Sequence, residues 1–182
     1  MAIGISSVEI SAAAEPARSS TASRSDASAR SGPTASLGIG AVVAGAEGTG
    51  AGPGTVGFLD VGWFVGRSTA VVLGVTGVWR PEGSESIRHS VWSLGVEHWF
   101  SRRYCGRIGL GASHLGRFEA DADVGDALGI GIGLTVGVGR EVWSWGHLAV
   151  NVQLLGAAGV HGGDAESKFA EFGGGGLEVA WQ

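Results

Sequence analysis

From Leu128 to Gly139 the chain alternates without a break: Leu128, Ile130, Ile132, Leu134, Val136 and Val138 are separated by Gly129, Gly131, Gly133, Thr135, Gly137 and Gly139. A period of two puts the first set on one face of a β-strand and the second set on the other. One face is then wholly aliphatic, and the other is almost bare backbone. A helix would scatter both sets around its axis, so the segment reads as a strand with two chemically different sides.

The same pattern starts near Ser36, where Leu37, Ile39, Ala41 and Val43 face away from Gly38 and Gly40. Six more segments follow it, near 55–65, 69–79, 87–99, 104–115, 146–156 and 169–181. Strands of this length suit tilted spans of a bilayer. The expected fold is all-β, an eight-stranded antiparallel up-and-down transmembrane β-barrel over residues 36–182. On this parsing long and short connections alternate, and in such barrels the short turns face the periplasm. Gly66–Ser68 and Phe100–Arg103 would lie there with both chain ends. EGTGAGPG, RPEGSES, GRFEADADVGDA and residues 157–168, which carry most of the acidic residues, would face outward from the cell.

Composition narrows the alternatives. The 35 glycines follow no Gly-X-Y period, which excludes a collagen-like chain. No stretch approaches 18 consecutive apolar residues, so a transmembrane helix is not expected. Residues 1–35 are rich in Ser and Ala and hold few large apolar side chains, too few to offset the entropy of ordering. They read as a disordered lead; either a signal region has been clipped upstream of Met1 or the chain is not exported, and the barrel pattern favours the first. Net charge is −5, Lys168 is the one lysine, and no basic run follows a phosphate backbone, so nucleic acid is not an expected partner. Cys105 stands alone, and no Cys/His spacing suits a zinc site. No cofactor and no metal are expected.

Outward parity gives Leu59, Val61, Val71, Leu73, Val75, Leu94, Val96, Ile108, Leu110, Leu148, Val150, Val152, Leu154, Leu177 and Val179, a band without charge in its middle. Arg88 and Glu171 share that parity nearer the loops, where a charge is tolerated. Trp63, Phe64, Trp99, Phe100, Tyr104, Trp143, Trp145 and Trp181 gather where strands meet the short turns, as an interfacial aromatic girdle does. Inward parity gives a polar cluster of Asp60, Glu97, Arg107, Asn151, Gln153 and Glu178 among small residues. A lipocalin-like soluble barrel would have the two faces reversed. Within the cluster, Glu97 and Arg107 should lie opposite each other with Glu178 at similar height, and Arg107 is expected to bridge at least two of the three carboxylates. A methyl group at inward Gly131 should be milder than a charge at outward Ile132.

The last strand reads GLEVAWQ, with Gly176, Val179 and Trp181 at the glycine, hydrophobic and terminal-aromatic spacing of the barrel assembly signal, the aromatic being penultimate. Together with WFVGRSTAVVLGVTGVW and GVEHWFSRRYCGRIGLGASHLGRF, the chain from about Ser36 resembles the small outer-membrane β-barrel domain superfamily, the OmpA/OmpX-like eight-stranded barrels of Gram-negative bacteria. The resemblance implies outer-membrane lipids, lipopolysaccharide and the barrel-assembly machinery as partners, and leaves any extracellular partner open. Members act as anchors, adhesion or defence surfaces, small pores and, in some cases, lipid-modifying enzymes.

Three constellations could carry chemistry. Ser113, His114 and Glu119 have the residue types of an outer-membrane lipid A deacylase, but adjacent residues of a strand point to opposite faces, so nucleophile and base do not meet unless a bulge intervenes. His161, Asp164 and Glu166 have cation-binding types, yet such residues are common on solvated Gly-rich loops. GIGIGLTVGVG lacks the helix N-terminus that a phosphate-binding glycine motif needs. The expected role is structural or surface-interacting, without catalytic residues. The alternatives are a narrow pore for small solutes or ions, and a lipid A-modifying enzyme.

Overall fold

The computed structural model describes residues 30–119, 126–162 and 168–182. Eight strands close into one antiparallel barrel: β1 (Gly32–Ala46), β2 (Gly50–Phe64), β3 (Thr69–Glu82), β4 (Glu85–Trp99), β5 (Tyr104–Glu119), β6 (Asp126–Trp145), β7 (Leu148–Gly162) and β8 (Lys168–Trp181). Each pairs with its sequence neighbour, and β1 pairs with β8 from Ala35↔Trp181 to Ala46↔Ala170. Closure removes the free edges that an open sheet would expose. The eight-stranded, all-antiparallel architecture read from the alternation is the architecture found.

Strand limits differ from those read in the sequence. β1 begins at Gly32, so the barrel takes in four residues assigned to the lead; residues 1–29 lie outside the described residues. The hairpins also continue farther at the end away from the termini. EGTGAGPG gives Gly50–Gly54 to β2, and RPEGSES is absorbed into β3 and β4 around a tight turn at Gly83, whose φ of +61° suits glycine. At the other end β6 runs on to Trp145 and turns through Gly146, φ +58°. The connections are then 47–49, 65–68, 83–84, 100–103, 120–125, 146–147 and 163–167, and the expected alternation of long and short does not hold. Hydrophobic alternation stops where the band stops, but backbone pairing propagates past it through Gly, Thr and Ser.

Burial follows parity closely. Ile130 and Ile132 are 70% and 69% exposed, and every residue of the expected outward band is exposed or half-exposed. The interior holds three apolar layers. Phe64, Ala70, Val72, Trp99 and Cys105 lie near the termini, a larger layer around Val56, Val78, Val91 and Phe172 lies farther along, and Ile87, Leu115 and Ala170 lie near the loop end. The lumen is therefore fuller than a lining of glycine and small residues implies. Strong curvature crowds the inside: a Cβ at Gly131 would overlap the Val160 carbonyl, and one at Gly111 the Trp92 carbonyl. A methyl at inward Gly131 therefore meets backbone and not open lumen, and its effect, expected to be milder than that of a charge at Ile132, is not silent.

A bulge between Glu141 and Trp143 shifts the β6–β7 register. Strict parity would turn Trp143 and Trp145 inward; the extra residue turns them out, to 53% and 73% exposure. Trp63, Phe100, Tyr104 and Trp181 are exposed as expected. Phe64 and Trp99 are not part of any girdle. Each is inward by parity and packs in the apolar layer nearest the termini, at 6% and 4% exposure.

Candidate functional site

All six residues of the expected lumen cluster point inward, but they sort into separate partnerships. Arg107 on β5 reaches across the barrel to Asp60 on β2, donating from both terminal nitrogens to the two carboxylate oxygens. Ser36 Oγ adds a hydrogen bond to Asp60 at 3.3 Å. Glu178 accepts from Asn151 Nδ2 at 3.0 Å and from Gln153 Nε2. Glu97 accepts from the Trp99 indole N–H at 2.8 Å. Arg107 is thus the ion-pair partner of one carboxylate, and the expected bridge to two is corrected. Glu97 and Arg107 are directly paired in register, as expected, but that proximity does not become their contact.

Toward the termini the lumen ends on Arg30, which the sequence did not single out. Its guanidinium lies 3.4 Å from the centroid of the Trp99 ring, donates to Glu141 at 2.9 Å and also to Gln182. Toward the loop end, Arg80 is 4% exposed and ties β3 to the neighbouring hairpin through the carbonyls of Ala44 (3.1 Å) and Gly50 (2.6 Å), with Glu82 at 3.3 Å.

A second polar group, also unread in the sequence, joins β4, β5 and β7. Ser113 Oγ lies 2.8 Å from His89 Nε2 and 2.8 Å from His161 Nε2, all three buried. His161 Nδ1 is 3.2 Å from the Lys168 carbonyl. That oxygen can only accept, so in neutral His161 the proton sits on Nδ1 and Nε2 accepts from the Ser113 hydroxyl. Ser113 in turn accepts from His89 Nε2–H, which leaves His89 Nδ1 without a partner. Gly159 makes the room, since a Cβ there would overlap Ser113 Oγ and crowd both rings. Parity held the signal: each residue is inward on its own strand, but nothing in one strand tells which others it meets.

The three sequence constellations resolve differently. Ser113 points in and His114 out, so the adjacent pair does not meet, and the side chain of Glu119 lies outside the described residues. His161 is not a loop ligand but a buried lumen residue; Asp164 and Glu166 lie outside the described residues. GIGIGLTVGVG is the middle of β6. Among the described residues no group of three or more His, Cys, Asp or Glu is arranged to hold a metal ion.

Between these groups the lumen has little space. The gap beside Asp60, Glu97 and Glu178 measures about 10 Å³, and that beside Arg107, Thr135 and Gln153 about 20 Å³. Each has room for about one water.

No protein-family profile matches the chain, and no curated protein matches it in sequence. Solved structures do match in fold. Neisserial surface protein A superimposes with a TM-score of 0.59 at 13% identity, over 83% of this chain and 97% of that one. Ail, the attachment invasion locus protein of Yersinia pestis, gives 0.59 at 10% identity, over 84% and 100%. Ail in complex with the heparin analogue sucrose octasulfate gives 0.55 at 10%, over 82% and 99%. At these identities the likeness is one of fold.

Proposed function

We propose that this chain is a bacterial outer-membrane β-barrel with a structural or surface-interaction role, closed to solutes and without catalytic activity. One observation carries the reading. The outside of the barrel is a broad, mainly aliphatic band, with Leu73, Leu94, Ile108, Leu110, Ile132 and Leu154 each more than half exposed, while the Asp60, Glu97, Arg107 and Glu178 charges are held inside. Water would leave that band uncovered at great cost, whereas hydrocarbon covers it. The exposed Trp63, Trp143, Trp145 and Trp181 at the termini end serve as an interfacial girdle, and Gly176, Val179 and Trp181 as the assembly signal read by the barrel-assembly machinery.

The names of the similar structures, a surface protein and an attachment protein, agree with a surface role. The polyanion in the Ail complex is not carried over. Strand ends and connections at this chain's loop end hold Glu47, Glu82, Glu85, Glu119, Asp121, Asp123, Asp126, Asp164, Glu166 and Glu171 against Arg80, Arg88, Arg117 and Lys168. A soluble partner that docks on those loops is therefore neutral or basic. The pore reading is disfavoured by the packed lumen and its Arg107–Asp60 cross-link. The enzyme reading is disfavoured because Ser113 is 1% exposed, with Leu115 equally buried on the loop side.

Membrane fractionation with gel migration before and after heating tests the reading, together with conductance in a planar bilayer. Heat-shifted migration from the outer-membrane fraction without steady conductance is expected. Recovery as a soluble, detergent-independent monomer would overturn the membrane assignment, and stable unitary currents the closed lumen.

A further inference from the structure

The outward band is not uniform. Along one line of direct pairing, residues run Ile39↔Gly57↔Gly77↔Ser90↔His114 across β1 to β5. Three adjacent strands thus present Gly, Gly and Ser where the rows beside them present large side chains. The row on the loop side carries Trp79 paired with Arg88, and the row toward the termini carries Val75 paired with Trp92. The result is a groove of about 1050 Å³ in the outer wall, with Ile39 and Leu177 along one flank and Trp79 and Phe118 on the other.

Packing does not explain these glycines. A Cβ at Gly77 would meet nothing within 4 Å, and one at Gly57 only the Gly38 carbonyl at 4.0 Å. Neither has positive φ. Inward Gly74 is the contrast, since a Cβ there would overlap the Asp60 carboxylate. The chemistry at the groove's rim is equally specific. Arg88 stacks over Phe118 at 4.3 Å and, among the described residues, has no carboxylate partner. His114 sits diagonally from it, about 7–8 Å away by strand geometry. A cation with a ring donor beside it, above an apolar trough, is complementary to an anionic headgroup on an acyl chain.

We propose that this groove binds an anionic acyl lipid of the leaflet at the loop end, one whose phosphate has no headgroup cation to balance it, with the phosphate on Arg88 and one chain laid over Gly57 and Gly77 between Trp79 and Ile39. The inference rests on the membrane reading above and adds a site and a ligand class to it. A second copy of the chain fits less well. Glu171, the outward carboxylate nearer the loops, stands on β8, four strands from Arg88 on β4 and so on the opposite side of the closed barrel, and a two-fold dimer across this wall would bury the Arg88 charge without a partner.

The test uses the full-length chain with Trp79 kept and Phe at the other six tryptophan positions, in phosphatidylcholine nanodiscs, titrated with brominated phosphatidic acid or brominated phosphatidylcholine and read by quenching of Trp79. The parent is expected to prefer the phosphatidic acid about five-fold, the effect of one basic residue on an anionic lipid. Arg88→Gln should bring the ratio close to one, and Gly77→Leu should weaken both lipids by filling the trough. Gly77 has open space around it, so that variant keeps the fold, and heat-shifted migration checks both. Equal affinity of the parent for the two lipids, or a preference that survives both substitutions, overturns the site. Displacement by excess inorganic phosphate overturns the lipid as ligand, and a doubled particle mass with the groove protected assigns it to a dimer. Failure to enter the nanodisc at all overturns the membrane reading itself.

Discussion

Arg107 pairs with Asp60, three strands away across the lumen, and not with Glu97, which faces it directly on the neighbouring strand. Geometry accounts for the choice. Directly paired inward residues have Cβ atoms about 4.5–5.5 Å apart, so an extended arginine overshoots its neighbour and reaches the far wall. Asp60 is short enough to leave room for it. Glu97 turns instead to the Trp99 indole two residues along its own face. The lumen is thereby cross-braced, and the barrel cannot ovalise without separating a buried pair.

Arg107→Leu is therefore expected to destabilise the barrel by about 3–5 kcal/mol, the cost of leaving a buried charge unpaired. Glu97→Gln should be neutral or stabilising, because the amide oxygen still accepts from Trp99 and one of three carboxylates near a single arginine is removed. Arg107→Leu combined with Asp60→Leu should recover part of the loss. Urea unfolding in detergent micelles measures all three; a parent-like Arg107→Leu would remove the cross-brace from the account.

Ser113→Ala takes a hydroxyl from between two buried imidazoles and should cost about 1–3 kcal/mol for the groups it strands. Gly159→Ala pushes a methyl into the same three side chains and should cost a similar amount. Because both act on one cluster, the double variant is expected to lose less than the sum, which the same unfolding series reads. Full additivity would mean that Gly159 and Ser113 are energetically separate.

Much of the barrel was legible because one physical rule, apolar outside and polar inside with period two, repeats along every strand. It identifies the face of Ile132 or Gln153 without knowing any neighbour. It fails where the answer depends on which strands meet across the lumen: Arg107 with Asp60, Ser113 with His89 and His161, and Arg30 with Trp99 all join positions distant in sequence. It also fails where the register shifts. Position near a turn places Trp143 and Trp145 in the girdle, and a bulge that the sequence does not announce is what turns them out. Position alone groups Phe64 and Trp99 with them, whereas their parity points inward.

Ile132→Arg sets a charge on the lipid-facing wall and should cost about 2–4 kcal/mol if near the bilayer midplane. Gly131→Ala should also impair assembly, since its methyl meets the β7 backbone at Val160, whereas Gly77→Ala should be silent. The folded fraction, read from heat-shifted migration after refolding into micelles, ranks them. A silent Gly131→Ala would show that the β6–β7 contact relaxes more readily than the geometry implies.

The sharpest separation of girdle from lumen uses tryptophan itself. Trp63 on β2 and Trp99 on β4 both lie near the termini end, yet Trp63 is 59% exposed on the outer wall and Trp99 is 4% exposed, under the Arg30 guanidinium. Depth along the strand is therefore similar for the two, and their faces are opposite. In variants that keep one tryptophan and carry Phe at the other six positions, a lipid brominated near its headgroup should quench Trp63 strongly and leave Trp99 nearly unaffected, because bromine quenches only at contact distance. Replacing Arg30 with Ala removes the cation stacked on Trp99 and should change the emission of the Trp99-only variant while leaving the Trp63-only variant as it was. The pairing of the two readouts matters. Quenching of Trp99 to the same extent as Trp63 would mean that the inward assignment of Trp99 is wrong, and an unchanged Trp99 spectrum on losing Arg30 would mean that the stopper at the termini end does not form.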